Sequence, residues 1–362
     1  MSFSKAINEI RRILTQKLTK KIATSNLNYV LDATNKPAIK NILISRPNKR
    51  IGNLLLVTPL IQDVISTFPD CKIDLLVKGS VAPIIFKNYE NIDQIIQLPN
   101  KPFKQLIQYI KCLKTIKNKR YDLVINVDKN SSSGRLSTKY SNSKFKFYGD
   151  FDEEILLTNK EYHHIAKYPI YSYRNNLSRL GFDVNDTRGI AEKSGAKPIP
   201  PLQLHLSPLE KEEGKKILHQ LVANDKKTIC LFTYATGDKC LTESWWKECY
   251  EKLKTTYPNY NIIEVLPFEN VSKIAFKAPS FYSKSIREIG SFIATTELFI
   301  GADSGIMHLA SSVQTPIVGL FSISNFNLNK YKPYSNNSIG INTNEKSVDE
   351  ILEVVHTILA NN

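Results

Sequence analysis

The sequence predicts an α/β protein with two parallel sheets, and three observations support this class. Short apolar runs alternate with amphipathic stretches from Lys40 onward, and strands that alternate with helices are typical of a parallel sheet covered on both faces. A second alternation follows residues 191–201, whose Pro, Gly and Lys content is typical of a linker. The chain of 362 residues is also long enough for two domains of ordinary size.

The first alternation predicts strands at residues 41–45, 72–77, 94–98 and 122–127, with helices at 54–68, 81–88, 103–117 and 171–181. The strands are short runs rich in β-branched and other apolar residues, such as KIDLLV and DLVINV. Residues 130–150 are polar, and we interpret them as a flexible stretch. The loop after the first strand, RPNKRIGN, lacks G-x-G-x-x-G, so the usual dinucleotide fingerprint is absent.

The second alternation predicts strands at 228–233, 261–266, 298–300 and 317–321, with helices at 211–222, 243–256, 285–295, 306–313 and 347–360. Two such halves predict Rossmann-like domains that face a central cleft, where the carboxyl ends of the strands bind ligands. The predicted organisation is a basic helical extension at 1–38, a Rossmann-like domain at 39–190, a linker at 191–205, a second Rossmann-like domain at 206–346 and a closing helix at 347–362.

Composition and charge limit the partners that we expect. A net charge of +15 is compatible with a phosphorylated substrate, an anionic lipid surface or nucleic acid. Lysine is spread over the whole chain, without an Arg-rich arm or a known nucleic-acid motif, so we expect no nucleic acid. The five cysteines contain no C-x-x-C pair and predict neither a disulfide framework nor a metal site. No apolar run approaches the ~20 residues of a membrane span, and no signal peptide is recognised, which predicts a cytoplasmic protein.

The first 22 residues predict an amphipathic basic helix. Apolar residues recur at three- or four-residue spacing from Phe3 to Ile22, with Arg and Lys largely between them. Such a helix can lie on an anionic membrane surface. It can equally dock on its own domain, and the sequence leaves both possibilities open.

The most informative stretch is LFIGADSGIMHLASSVQTPIVGLF, residues 298–321. Its order of apolar run, Gly-flanked turn, short helix and second apolar run predicts one βαβ unit. The first turn of the helix presents backbone N–H groups that bind anions such as a pyrophosphate. Asp303 and Ser304 offer polar groups near the N-cap, although both residue types also cap helices that bind nothing. His308 is open to a packing role or a functional one.

Several separated motifs resemble those of the heptosyltransferase family, glycosyltransferase family 9. RIGNLLLVTPLI at residues 50–61 resembles the family's amino-terminal loop and helix, and GDKCLTESWW at 237–246 resembles its donor-phosphate loop. GADSGIMHLASS at 301–312 is similar to its signature D-[ST]-G-x-x-H-L-x-[AS]-[AS], and YSYRNNLSRLGF resembles the helix before its linker. The resemblance covers approximately residues 40–330 and implies a GT-B fold.

The resemblance also implies the reaction and its residues. It implies transfer of a heptose from ADP-heptose to the lipopolysaccharide core, with inversion and without an essential metal or other cofactor. Expected donor-binding residues are Thr236, Lys239, Glu269, Asp303, Ser304, Gly305 and His308. Lys239 would neutralise the leaving pyrophosphate, and Glu264 competes with Glu269 for the ribose. Expected acceptor-binding residues are Arg50, Gly52, Lys129 and Arg135. The expected partners are thus a nucleotide sugar, an anionic lipid-linked saccharide and the inner face of the cytoplasmic membrane.

The chain departs from the family's pattern at Asn53. The family has Asp at this position as the proposed general base, and a carboxamide cannot accept the proton of the acceptor hydroxyl. Three outcomes remain open: another carboxylate such as Asp63 or Asp128 substitutes, catalysis proceeds slowly through donor activation alone, or the protein binds nucleotide sugars without turnover. Asn53, Asp303 and Lys239 are therefore the expected catalytic positions.

Overall fold

The structure is a computed structural model that describes residue 19 and residues 36–100, 105–150, 163–182, 198–335 and 337–361. Its chain divides into two compact units. The amino unit comprises residues 1–49, 59–83 and 89–200, and the carboxy unit comprises residues 50–58, 84–88 and 201–362. Two short segments within the range predicted for the first domain therefore cluster with the second half of the chain.

The amino unit is built on a five-stranded parallel sheet in the order β3-β2-β1-β4-β5. The strands are β1 (Asn41–Ser45), β2 (Lys72–Lys78), β3 (Ile92–Leu98), β4 (Arg120–Asn126) and β5 (Asn142–Phe147). The helices that follow them along the chain are α1 (Ile51–Leu55), α2 (Thr58–Thr67), α3 (Ala82–Ile85), α4 (Leu106–Asn118), α5 (Ser132–Tyr140) and α6 (Tyr168–Ser178), of which α1 and part of α3 belong to the carboxy unit.

The carboxy unit has a six-stranded parallel sheet in the order β11-β10-β9-β6-β7-β8. Its strands are β6 (Thr228–Phe232), β7 (Asn261–Val265), β8 (Ser280–Phe281), β9 (Leu298–Ala302), β10 (Ile317–Phe321) and β11 (Ile339–Asn342). Its helices are α7 (Pro208–Val222), α8 (Glu243–Thr256), α9 (Ile286–Ile293), α10 (Gly305–Ser312), α11 (Asn325–Tyr331) and α12 (Val348–Ala360). When β6 is taken as the first strand, this order matches the strand order 3-2-1-4-5-6 of dinucleotide-binding sheets.

The predicted α/β class with two parallel sheets is confirmed, and most elements form within a few residues of their predicted bounds. All five residues of each of the central strands β6 and β9 are buried, because helices cover both faces of the sheet. The region near α8 has a core centred on Trp246, which is fully buried. Short elements at β8, α11 and β11 carry too few apolar residues to be recognised from their pattern.

The prediction of a flexible stretch at residues 130–150 is wrong. Ser131 caps α5, its hydroxyl accepting a hydrogen bond from the Gly134 N–H at 3.1 Å. β5 then alternates polar residues with the buried Phe145 and Phe147, which gives an edge strand with one face on the core. Polar composition concealed these elements, since an edge strand needs only its inward side chains to be apolar.

The helix predicted at residues 54–68 is divided into α1 and α2. The Thr58 hydroxyl donates to the Leu55 carbonyl at 2.7 Å, and Pro59 occupies the first turn of α2, where no N–H donor is needed. The predicted amino-terminal helix at 1–22 lies outside the described residues except for Thr19, as does the linker stretch 191–197. No helix within the described ranges combines the length and apolarity that a bilayer crossing requires.

Candidate functional site

The carboxyl edge of the second sheet carries the candidate site. Strands β6 and β9 are neighbours, and the chain proceeds from β6 towards one edge of the sheet and from β9 towards the other. Ligands of doubly wound sheets bind at such a switch point. Asp303 follows β9 directly, and Lys239 lies in a single turn, Gly237–Lys239, in the connection after β6.

Lys239 and Asp303 form an ion pair at this switch point. Lys239 Nζ lies 2.6 Å from Asp303 Oδ2, and the two side chains are 33% and 7% exposed. The ammonium group also lies 5.6 Å from the centre of the Tyr331 ring on α11, a distance at which the ring face attracts a cation. A fixed cation is thus held at the sheet edge with one side open to solvent.

The first turn of α10 lies beside this pair. The Asp303 N–H donates to the Leu320 carbonyl at 2.9 Å, which fixes the turn against β10. Ser304 is the N-cap, and its hydroxyl accepts from the Met307 N–H at 3.3 Å. The first N–H groups of a helix have no carbonyl within that helix to bond. Backbone donors and the Lys239 cation are therefore available together for a polyanion.

The predicted loop glycine packs directly on this helix. A Cβ atom built on Gly52 would lie 2.8 Å from Cδ2 of His308 and 3.3 Å from the Gly305 Cα, so only glycine fits here. His308 is 5% exposed. Since α1 and α10 belong to the same unit, this contact brings Gly52 and Asn53 to the amino-terminal half of α10. Asn53 is half-buried and Arg50 is exposed at the start of α1.

Glu264 and Glu269, the two acidic residues considered for binding the ribose, have different environments. Glu264 is fully buried, and its carboxylate accepts from the Thr233 hydroxyl at 2.5 Å and the Ser272 hydroxyl at 2.6 Å. Burial raises the pKa of Glu264. Glu269 is exposed and lies beside Tyr234, whose pKa is raised by desolvation and by this carboxylate. Of the two, Glu269 is accessible to a ligand, and the exposed Thr236 lies two residues after Tyr234.

The predicted acceptor residues of the amino unit lie at the corresponding edge of its sheet. Arg46 follows β1, and its Nη1 lies 2.8 Å from Oδ2 of Asp128, which is 37% exposed and comes just after β4. Lys129 Nζ lies 5.7 Å from the centre of the Tyr168 ring. Arg135 is buried, and its guanidinium donates to the carbonyls of Thr19 and Lys129 and to the Thr19 hydroxyl. Burial lowers the pKa of Arg135.

One carboxylate considered as a substitute base is sealed inside the amino unit. Asp63 is 1% exposed, and its two oxygens accept from Nε and Nη2 of Arg174 at 2.9 and 2.8 Å. It therefore holds a buried ion pair, and the proposal that it acts as a base is withdrawn. Asp128 remains exposed enough for that role.

Sequence reasoning missed Arg46, Tyr234 and Tyr331. Arg46 and Tyr234 follow strands β1 and β6 closely, so their position after a predicted strand was a usable signal. Tyr331 lies on α11, which was not predicted. Among the residues that the structure describes, no group of three or more His, Cys, Asp or Glu side chains is arranged to hold a metal ion.

Similarity to known proteins extends over most of the chain, and a family model matches part of the carboxy unit. The family model described as glycosyltransferase family 9 (heptosyltransferase) matches residues 283–353, which include Asp303, Ser304 and His308. Lipopolysaccharide heptosyltransferase 3 of Escherichia coli is 23% identical over 302 residues, covering 80% of this chain and 85% of the relative.

Two solved structures have the same fold along nearly their full length. The glycosyl transferase family 9 protein of Veillonella parvula DSM 2008 aligns with a TM-score of 0.70 and 18% identity, covering 89% of this chain and 98% of its own. The ADP-heptose lipopolysaccharide heptosyltransferase II of E. coli aligns with a TM-score of 0.61 and 16% identity. This alignment covers 89% of the present chain and 99% of the E. coli chain. These alignments identify the two parallel sheets as those of a GT-B fold.

Proposed function

We propose that the chain is a member of glycosyltransferase family 9, the heptosyltransferases, on the strength of its matches to the family model and to curated heptosyltransferases, and that it transfers a heptose or related sugar from ADP-heptose to a lipopolysaccharide or lipooligosaccharide core. The observation that carries the proposal is the Lys239–Asp303 pair, 2.6 Å apart at the first turn of α10. The similar E. coli enzyme II has ADP-heptose in its name, which supports the choice of donor.

The donor pyrophosphate would lie on the first turn of α10. Its oxygens would accept from backbone N–H groups of Ser304 and Gly305, while Lys239 neutralises the charge that develops as the sugar–phosphate bond breaks. The electron pair of that bond leaves with ADP. In this proposal Lys239 supplies the charge that a metal ion supplies in other transferases, so transfer would be metal-independent.

Asp303 and the residues around it would orient the sugar and nucleoside. The Asp303 carboxylate, held by Lys239, would accept hydrogen bonds from sugar hydroxyls, and Glu269 would accept from the ribose. Both are acceptor groups, which suits hydroxyl donors. His308 packs on Gly52, so its part would be to hold the acceptor loop against the donor helix.

The acceptor oxygen would attack the anomeric carbon on the face opposite to the departing phosphate, which inverts the configuration. Arg50 and Lys129 would meet the anionic groups of the acceptor, and the buried Arg135 would hold the Lys129 carbonyl in place. Asn53 would orient the attacking hydroxyl without accepting its proton. The acceptor is lipid-linked, so we place the protein in the cytoplasm at the inner membrane surface.

The first test measures ADP release from ADP-heptose and truncated lipopolysaccharide. Lys239→Ala should lower kcat/KM by about 10²–10³-fold, since it removes a charge that stabilises the leaving group. Lys239→Arg should retain part of the activity, and Lys247→Ala, an exposed lysine on α8, serves as the matched control. Equal activity of the Lys239→Ala variant and the wild type would refute the donor role.

The second test concerns the missing carboxylate. Asn53→Asp restores a base beside the donor helix and should accelerate ADP release by about 10²–10⁴-fold. If the wild type is already fast and Asn53→Asp changes nothing, another group takes the proton, and Asp128→Asn should then remove activity.

The alternative function is that of an impaired GT-B protein that binds nucleotide sugars without turnover. The specific observation in its favour is Asn53, together with the sealing of Asp63 by Arg174. This alternative predicts ADP-heptose binding by calorimetry without ADP release, and release only after Asn53→Asp.

A further inference from the structure

Helix α4 of the amino unit exposes an apolar surface that the transfer reaction does not use. Its inner face packs on a buried cluster through Tyr109, Cys112, Leu113 and Ile116. On its outer side, Leu106, Ile107 and Ile110 are 56%, 75% and 43% exposed. Because helical residues turn by about 100° each, Ile107 points away from the packed face and Leu106 and Ile110 lie beside it.

The same outer side carries three lysines. Lys111, Lys114 and Lys117 fall within the arc that also contains Ile107 and Ile110, since residues three and four apart share a helix face. All three are exposed, and α4 contains no acidic residue. Across the described residues, none of the three forms an ion pair.

The neighbouring Lys119 is a useful contrast. Its ammonium group binds Asp74 and Asp93 at 2.8 Å each, so this lysine stabilises the amino unit. Among the residues that the structure describes, no carboxylate pairs with Lys111, Lys114 or Lys117. Their exposed ammonium groups can therefore contact an external anionic surface.

We propose that α4 binds in the plane of an anionic lipid membrane. Ile107, Ile110 and Leu106 would enter the boundary between headgroups and acyl chains, and the three lysines would contact lipid phosphates. We call these six residues the α4 surface. The chain's net charge of +15 adds a general attraction to the same lipids.

Charge argues against a second copy of the chain as the occupant. A two-fold symmetric contact places the same patch against itself, which would bring the lysines of both α4 helices together without any acidic partner on the helix. Phospholipid phosphates supply the opposite charge over an area of any size. The proposal concerns lipids of the bilayer and stands whether or not the chain transfers heptose.

The test is sedimentation of the full chain with sugar-free vesicles of phosphatidylethanolamine and phosphatidylglycerol. Ile107→Asp, and separately the triple change of Lys111, Lys114 and Lys117 to Gln, should each lower the partition coefficient at least ~10-fold, because each removes one of the two sources of membrane affinity. Raised salt should weaken wild-type binding.

Matched controls come from α7 in the carboxy unit. Leu209 is 76% exposed there, and Lys211, Lys215 and Lys216 are exposed on the same helix. Leu209→Asp and the triple change of Lys211, Lys215 and Lys216 to Gln alter the net charge by the same amounts as the two α4 variants. Both control variants should bind vesicles as the wild type does. Circular dichroism checks that every variant is folded.

A second readout locates the contact. Ile107→Trp should add fluorescence that brominated lipids quench, and Leu209→Trp should add fluorescence that they leave unchanged. Equal quenching at both positions, equal loss in the α7 and α4 variants, or no vesicle binding by the wild type would overturn the proposal. So would a concentration-dependent dimer that Ile107→Asp dissociates in the absence of vesicle binding.

Transferase activity is measured separately, so that the two proposals can fail independently. With an acceptor saccharide freed of its acyl chains, Ile107→Asp should release ADP at the wild-type rate. With the acceptor embedded in vesicles, the same variant should be slower. A loss with the soluble saccharide would show that position 107 serves the site or the fold, and would overturn the assignment of α4 to the membrane.

Discussion

At the scale of single residues, the environment of each carboxylate decides what it can do. Glu269 follows the strand predicted at residues 261–266 and Glu264 lies within it, and in the structure Glu264 is enclosed by Thr233 and Ser272 while Glu269 is exposed. Asp303 is held by Lys239 at the site, and Asp63 is held by Arg174 in a core. Exposure therefore distinguishes Glu269 from Glu264, whereas Asp303 and Asp63 are both buried and differ in the place of their cationic partner.

A residue-scale prediction concerns Glu210 at the start of α7. Its carboxylate accepts from Arg287 Nε and Nη2 at 2.5 and 2.8 Å, and Arg287 lowers the pKa of Glu210 from 4.5 to about 2. A carboxylate with a lowered folded-state pKa adds stability above its unfolded pKa and loses it as the pH falls towards the folded value. We expect the carboxy unit to lose up to about 3 kcal/mol of stability over that interval.

The measurement is urea denaturation of the wild type and Glu210→Gln, from neutral pH down towards the pKa of Glu210. The difference in free energy of unfolding between them should shrink as the pH falls. Glu212→Gln is the control on the same helix, since Glu212 is 56% exposed and lies 3.6 Å from Lys215, and such surface pairs contribute little. A difference that stays constant with pH would contradict the prediction.

At the scale of secondary-structure elements, the packing of α1 on α10 joins two motifs that are distant in the sequence. Gly52 and Gly305 are separated by about 250 positions, yet a Cβ on Gly305 would lie 3.4 Å from the Gly52 nitrogen. Each motif resembles a family loop on its own. Their contact brings Asn53 close to α10, which neither motif indicates alone.

We predict that Gly52→Ala forces α1 away from α10. The added methyl group would lie 2.8 Å from His308 Cδ2 and 3.3 Å from the Gly305 backbone, and such overpacking costs about 1–3 kcal/mol. The free energy of unfolding and kcat/KM should both fall.

A double-mutant cycle identifies the cause. His308→Ala removes the ring that the new methyl group meets, so the double variant should be less destabilised than the sum of the single ones, by about 0.5 kcal/mol or more. Strict additivity would mean that the cost of Gly52→Ala arises elsewhere.

At the scale of the whole molecule, the chain passes between its two units more than once. Residues 50–58 and 84–88 leave the amino unit and cluster with residues 201–362. The predicted donor residues and Asn53 all lie in the carboxy unit, whereas Lys129 and Arg135 lie in the amino unit. We therefore expect the stability of the amino unit and the donor affinity of the carboxy unit to be separable.

Asp63→Ala tests this separation. Removing one partner of a buried ion pair leaves Arg174 uncompensated, which should destabilise the amino unit by about 3–5 kcal/mol. ADP affinity, measured by calorimetry at a temperature where the variant is folded, should remain that of the wild type. Asp70→Ala, which changes an exposed carboxylate, should alter neither quantity. A parallel loss of ADP affinity in Asp63→Ala would show that the amino unit supports donor binding.

The sequence by itself determined the α/β class and the two successive alternations, and it carried the resemblance to the heptosyltransferase family, because these depend on local periodicity and on motifs of consecutive residues. It also predicted Asp303 and Lys239 as site residues, since each lies in a recognisable motif. Only the tertiary structure decided that these two side chains form one ion pair, that Asp63 is sealed by Arg174, and that Gly52 lies against His308. The physical reason is that packing joins residues far apart in the chain, and no local pattern records which of them will meet.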